Sequence, residues 1–134
     1  MNWKLAGRIF VFAWFFIGGV CHFLIPEPFV RIVPPYVPYA WAVVYISGAF
    51  ELLGAFGIMI PRWRSLAGYC LMLLTAVVTL GNVQMYQHPD LFPSIPHWAL
   101  VLRFPVQVVL ILIIWRTTRP DGVKTIFPAK TIET

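Results

Sequence analysis

The sequence predicts an all-α membrane protein: a bundle of four transmembrane helices with both termini in the cytoplasm. Three features predict this fold, namely extreme apolarity, four apolar segments of bilayer length, and a one-sided distribution of Lys and Arg. The chain has 134 residues, 60% hydrophobic and only 11% charged, whereas roughly a quarter of a soluble domain is charged. This number of polar residues is too small to cover the core of a soluble protein of this size. We therefore expect a single membrane domain spanning residues 1–134.

Four apolar segments are each long enough to cross a bilayer, which takes about 20 residues. We expect each to be helical, because a spanning segment must satisfy its own backbone hydrogen bonds in lipid. The predicted spans cover residues 5–25, 40–60, 65–85 and 98–115. The connection between the first two, residues 25–39, contains five prolines. Since proline ends helices and stiffens the chain, this connection is predicted to be a shaped, semi-rigid loop.

The Lys and Arg residues indicate the orientation of the bundle. Eight of the ten lie at one end, in the first residues, in the connection between spans two and three, and in segment 116–134. The positive-inside rule places that end in the cytoplasm, with 116–134 as a cytoplasmic tail. The net charge of +5 does not predict nucleic-acid binding, because the sequence contains no run of Lys or Arg.

Glu51 stands near the middle of the second span, where an ionised side chain costs about 2.5–3.5 kcal/mol. The residues three and four positions away from it are all small: Ser47, Gly48, Gly54 and Ala55. Small residues allow a neighbouring helix to approach closely. We therefore expect Glu51 to face the interior of the bundle and not lipid.

Other polar side chains are expected near Glu51, in the outer half of the bundle. The predicted intramembrane cluster consists of His22, Glu51, Asn82, Arg103 and Gln107. The sequence leaves two interpretations open. Either Glu51 and Arg103 are mutual counter-charges that fix helix packing, or the cluster lines a cavity for a quinone, a proton or a small substrate. Whether Glu51 is ion-paired or protonated stays open.

Two further charged residues are candidates in the first connection. Glu27 and Arg31 are four positions apart, but the flanking prolines favour a local turn contact over a helical pair. The histidines all lie toward the outer side, and no zinc-like spacing is present, so we predict no metal site.

Three runs of the sequence resemble the DoxX-like small membrane proteins of bacteria. They are 22-HFLIPEPFVRIVPPYVP-38, 45-YISGAFELLGAFGIMIPRWRSLAGY-69 and 82-NVQMYQHPDLFPSIPHWALVLRFPVQ-107. The shared order is His-Phe before a proline-rich connection, S-G-x-x-E-x-x-G in span two, an Asn late in span three, and Arg-x-Pro-x-Gln in span four. The five residues of the predicted cluster are the polar positions that match.

The resemblance implies a four-helix bundle in the bacterial cytoplasmic (inner) membrane with both termini inside. The family's namesake is associated with thiosulfate:quinone oxidoreduction, and other members with oxidative-stress complexes. The resemblance therefore implies an accessory membrane subunit or scaffold, surrounded by lipid, with a protein partner or a second copy of itself. A quinone is the candidate cofactor, and the loop candidates have no role assigned.

Two alternative functions remain. One is a membrane subunit of an oxidoreductase that interacts with quinone, and the other is a small transporter or membrane chaperone. The sequence lacks a thiol pair, a pair of haem ligands at matched depth and a nucleotide motif. An autonomous enzyme is therefore not expected.

Overall fold

The computed structural model describes residues 2–120 of the chain. Within this range the fold is all-helical, with five α-helices, one short 3₁₀ turn and no strand. The helices are α1 (Trp3–Leu24), α2 (Pro26–Ile32), α3 (Ala40–Met59), α4 (Arg64–Gln87) and α5 (His97–Thr118), and the 3₁₀ turn is Pro89–Leu91. Four of the helices, α1, α3, α4 and α5, are long and apolar enough to cross a membrane.

The predicted fold class is therefore confirmed, and each predicted span end lies within one helical turn of the observed one. A multi-pass membrane protein is the class that such helices define. The orientation of the termini stays a prediction. Residues 121–134, most of the predicted cytoplasmic tail, lie outside the described residues.

The four long helices form a ring in which α1 packs against α3, α3 against α4, α4 against α5, and α5 against α1. Because α3 and α5 are not neighbours in this ring, they face each other diagonally across its centre. The short helix α2 lies across one end and packs against α1, α3 and α4. We call this the α2 end, and the opposite end, where α1 begins and α5 finishes, the basic end.

The half of the bundle next to the basic end is closely packed. All four long helices contribute to its buried apolar core, which consists of Val11, Phe15, Ala55, Ile58, Ala67, Leu71, Leu110 and Ile114. Glycines allow the helices to approach here: Gly7 lies against Thr117, and Gly68 against Thr118. The interior of this half is closely packed. Beside it lies a groove of about 300 Å³ between α1 and α5.

Cationic side chains hold the helix ends at the basic end. The Arg8 guanidinium donates to the carbonyl of Thr117 at 3.2 Å, and the Arg119 guanidinium donates to the carbonyl of Ser65 at 3.3 Å. Thr117 is in the last turn of α5, where the carbonyls have no partner within the helix and a nearby cation also interacts favourably with the helix dipole. These contacts tie α1 and α4 to the end of α5.

The prediction of a loop for residues 25–39 was wrong in its first half, which forms α2. Pro26 occupies the start of this helix, where a backbone N–H has no intrahelical partner and proline is therefore tolerated. Glu27 and Arg31 consequently lie on one helix and not in a local turn. Both are exposed, and no ion pair between them occurs in the described part of the chain.

The second half of the connection ends at a strained residue, Tyr39, immediately before α3. Tyr39 precedes the helix with a φ of 57°, in the left-handed region. A bulky residue rarely adopts this conformation, which costs roughly 1–3 kcal/mol. Its side chain is 83% exposed, so packing of the ring does not explain the strain.

Candidate functional site

The half of the bundle next to α2 is hollow. It contains a cavity of about 710 Å³, walled by α2, the residues that follow it and all four long helices. Ligand sites in proteins typically measure about 300–1,000 Å³ and combine apolar walls with a few convergent polar groups. The walls here are mostly apolar, and the polar lining includes all five members of the predicted cluster: His22, Glu51, Asn82, Arg103 and Gln107.

The cavity reaches the surface on the side of α1 and α5. These two helices touch near the basic end, where Gly7 lies against Thr117. Further along, the cavity-lining residues Trp14 and Ile17 on α1 and Leu102 on α5 are all exposed. Because exposed apolar side chains of membrane helices face lipid, the cavity opens sideways toward the lipid-facing surface.

The most buried polar pair on the cavity wall joins α1 to α3. His22 and Glu51 are 7% and 8% exposed, and His22 Nε2 lies 3.5 Å from Glu51 Oε1. We call these two residues the dyad. The Nδ1 atom of the same histidine donates to the backbone carbonyl of Val44, at 2.8 Å.

Glycines bring the two helices of the dyad close together. A Cβ added to Gly48 would lie 2.6 Å from the Cβ of His22, and one added to Gly18 would lie 2.8 Å from Oε2 of Glu51. Both helices therefore approach closely where the dyad forms. The prediction that Glu51 faces a closely packed interior, through its small neighbours, is confirmed.

The hydrogen bond to Val44 sets the tautomer of His22. A carbonyl oxygen only accepts, so Nδ1 must carry the proton that it shares with Val44. In the neutral ring Nε2 then has the lone pair, and it is this atom that faces Oε1 of Glu51. A proton on the acid or on the ring would allow the two groups to share a hydrogen bond.

Of the two interpretations left open by the sequence, the structure does not show the one that pairs Glu51 with Arg103. The ion pair that the structure shows for Glu51 is with His22. The reason is the helix order: Arg103 belongs to α5, which lies diagonally across the cavity from α3. Arg103 lines the cavity, is exposed, and makes no hydrogen bond, ion pair or ring contact within residues 2–120.

The remaining two predicted residues lie on the α4–α5 side of the cavity. Gln107 is held by α4: its Oε1 accepts from the Thr79 hydroxyl at 2.9 Å, and its Nε2 donates to the carbonyl of Thr75 at 3.4 Å. Asn82 is different. It is only 4% exposed and lines the cavity, yet its carboxamide has no hydrogen-bond partner in the described chain.

The carboxamide of Asn82 is accessible from the cavity, although the residue as a whole is buried. Buried polar groups have a hydrogen-bond partner in the great majority of cases. A bound molecule with a hydrogen-bonding group, or water, would satisfy Asn82 from within the cavity.

Phe29 is a site residue that the sequence analysis missed. Its ring packs on the His22 ring with centroids 4.1 Å apart, and it lines the cavity from α2. The missed signal is the spacing of Phe29 and Ile32 on one face of α2, opposite the exposed Glu27 and Arg31. Those two loop candidates do not line the cavity.

The described residues contain no group of three or more His, Cys, Asp or Glu that could hold a metal ion. Fold and site together define a small four-helix membrane bundle with a laterally open, mostly apolar cavity in one half.

The chain belongs to the DUF8561 family, a domain of unknown function, whose family model matches residues 11–118. The match extends from the first half of α1 to the end of α5 and includes the dyad, Asn82, Arg103 and Gln107. No curated protein and no solved structure matches the chain.

Proposed function

We propose that the protein is an accessory subunit of a membrane complex, and that it binds a lipid-soluble molecule with a polar head in its cavity. The observation that supports this most is the cavity itself. It has apolar walls, a lateral opening, and a buried Asn82 without a partner. A ligand that dissolves in lipid enters through such an opening and leaves its head near the polar residues.

The chemistry of the wall supports binding more than catalysis. Asn82 and Arg103 offer N–H donors to the cavity, and Gln107 is held in place by Thr79 and Thr75. Donors of this kind hold a carbonyl or carboxyl oxygen. The cysteines are free, Cys70 being exposed and Cys21 half-buried, and they lie near opposite ends of their helices. A reaction that moves electrons would therefore need a partner chain.

The resemblance to DoxX-like proteins supports a partner associated with redox or oxidative-stress complexes in the bacterial cytoplasmic membrane. In this arrangement the basic end faces the cytoplasm. It holds six of the described cations (Lys4, Arg8, Arg62, Arg64, Arg116 and Arg119), while the described acids Glu27, Glu51 and Asp90 lie elsewhere. The closely packed basic half, where Ala55 is 0% exposed, favours binding over transport, since a transported molecule needs a path through both halves.

Native mass spectrometry of the protein purified in mild detergent tests the binding function. We expect a small molecule to copurify with the wild type. Val106→Trp fills the cavity from α5 and should reduce the bound fraction at least about tenfold, which corresponds to about 1.4 kcal/mol. Val108→Trp is the matched control, because Val108 is exposed on the same helix and lines no cavity. Equal occupancy in the two variants would contradict the proposal.

A quinone-interacting oxidoreductase subunit is the second candidate, favoured by the N–H donors of Asn82 and Arg103 and by the two titratable side chains of the dyad on the cavity wall. It predicts quinone in lipid extracts of the purified protein and its loss in Glu51→Gln.

The accessory role predicts a partner, which photo-crosslinkers at the exposed positions of Glu27 and Arg31 would detect. We expect a defined heteromeric adduct or a dimer, distinguished by mass, and absence of both would count against an accessory role.

A further inference from the structure

The charged residues on the cavity wall differ in their partners. Glu51 lies 3.5 Å from His22. The guanidinium of Arg103 has no hydrogen-bond or ion-pair partner in residues 2–120. The wall therefore has one cation without a protein partner, next to a mostly apolar space.

A cation beside an apolar volume is stabilised by a counter-charge, and an anion from the membrane would supply it. Arg binds a carboxylate through two parallel N–H bonds. A carboxylate matches the single positive charge of Arg103. A phosphate monoester carries about −1.5 to −2 near neutral pH and would exceed it.

The cavity wall that contains Arg103 also contains an uncharged donor that fits the same kind of head. The carboxamide of Asn82 is 4% exposed, lines the cavity and has no partner. Its N–H group can donate to a second lone pair of a carboxylate oxygen. The apolar lining includes Trp14 and Ile17 on α1 and Val106 on α5, and all three are exposed on the side where the cavity opens.

We propose that the cavity selects a long-chain carboxylate, a single-chain monoanionic amphiphile whose head binds Arg103 and Asn82 and whose chain leaves between α1 and α5. This inference rests on the proposed binding function and names its ligand class. It assigns selectivity to Arg103, since the apolar wall would hold an acid, an ester or a quinone about equally.

Fluorescence quenching by brominated amphiphiles tests the inference. Trp14 lines the cavity, whereas Trp41 is about equally exposed, 49% against 47%, and lies outside it. Two single-tryptophan proteins, one keeping Trp14 and one keeping Trp41, are placed in nanodiscs of unbrominated neutral lipid. Dibromostearic acid and its methyl ester are then titrated separately.

We expect the acid to quench Trp14 at a mole fraction at least about tenfold lower than the ester, with no such difference at Trp41. Arg103→Gln should abolish the difference, and Arg31→Gln should preserve it, because Arg31 lies on α2 away from the cavity. Equal quenching of Trp14 by acid and ester, both stronger than at Trp41, would overturn the carboxylate inference and leave the binding function intact. Quenching of Trp14 no stronger than that of Trp41 by either compound would overturn both.

Two further measurements complete the test. The first distinguishes a fatty acid from a two-chain anionic lipid, and the second uses the wild-type protein, so that it does not depend on the folding of any variant. Brominated phosphatidylglycerol, a two-chain monoanion, should quench Trp14 no better than brominated phosphatidylcholine, and a clear preference would overturn the single-chain assignment. Native mass spectrometry of the wild type, with all its tryptophans, should show stearate adducts in excess over methyl stearate. Equal adduct formation would contradict the inference without any substitution.

Discussion

Replacing Gly48 with alanine should force α1 and α3 apart where the dyad forms. The added Cβ would lie 2.6 Å from the Cβ of His22 and 3.2 Å from the backbone oxygen of Gly19. Neither atom belongs to the free end of a flexible side chain, so relief requires a shift of the helix itself. Such overpacking typically costs roughly 1–3 kcal/mol.

Alanine also favours the helical backbone over glycine by roughly 0.5–1 kcal/mol. The two effects oppose each other, and for Gly48→Ala the overpacking is larger. We therefore expect a net loss of about 1–2 kcal/mol in the free energy of unfolding, because the closest atom is fixed to the α1 backbone.

Gly18→Ala is the matched comparison on the facing helix. Its added Cβ would meet Oε2 of Glu51 at 2.8 Å, and the rest of that carboxyl is already 3.8 Å away. The end of the Glu51 side chain can shift by a few tenths of an ångström more easily than the helix backbone can, so the helical gain of alanine should offset the contact. We expect a change within about 0.5 kcal/mol of the wild type, a size typical of substitutions that disturb no packing.

Reversible unfolding of both variants by SDS in mixed micelles, followed by circular dichroism, measures the difference. A loss in Gly48→Ala exceeding that in Gly18→Ala by about 1 kcal/mol or more would support the close crossing of α1 and α3. Equal stabilities would refute it, since the two substitutions add the same group to the same kind of helix.

Three other predictions concern single features of the fold. Thr79→Val removes the hydroxyl that donates to Gln107 and should cost only about 0.6 kcal/mol in the same unfolding assay, with a loss above about 2 kcal/mol contradicting a simple pairwise contact. Tyr39→Gly relieves a left-handed φ of 57° and should raise stability by about 1 kcal/mol, whereas a clear loss would show that the exposed ring packs elsewhere. In a cysteine-free background, Tyr36→Cys should react with an impermeant maleimide in intact cells and Arg62→Cys only after permeabilisation; the reverse pattern would invert the proposed topology.

The sequence predicted the spans well because bilayer length and apolarity impose them on the chain. It also predicted the inward face of Glu51, since the small residues three and four positions away already indicate a close helix crossing. Both predictions depend only on residues within a single helix, so neither requires knowledge of how the helices are arranged.

The partner of Glu51 was not predictable in the same way. Depth along the membrane made Arg103 a plausible neighbour, but depth does not say which helices are adjacent in the ring. In the structure α1 is the neighbour of α3, and α5 is diagonally opposite. His22 on α1 is therefore the partner of Glu51, and Arg103 on α5 lines the cavity without pairing with it. The helix α2 was missed because its prolines indicated a loop, although proline in a first turn is compatible with a helix.

Photoaffinity mapping tests whether the α2 half of the bundle is an amphiphile site. A photoactivatable long-chain amphiphile would be incorporated into nanodiscs with the wild-type protein, and the labelled residues identified by mass spectrometry of its peptides. We expect adducts concentrated on the cavity wall, at Trp14, Ile17 and Val106, and their loss in Val106→Trp. Labels spread evenly over exposed side chains such as Leu53 and Leu73, which lie outside the cavity, would contradict it.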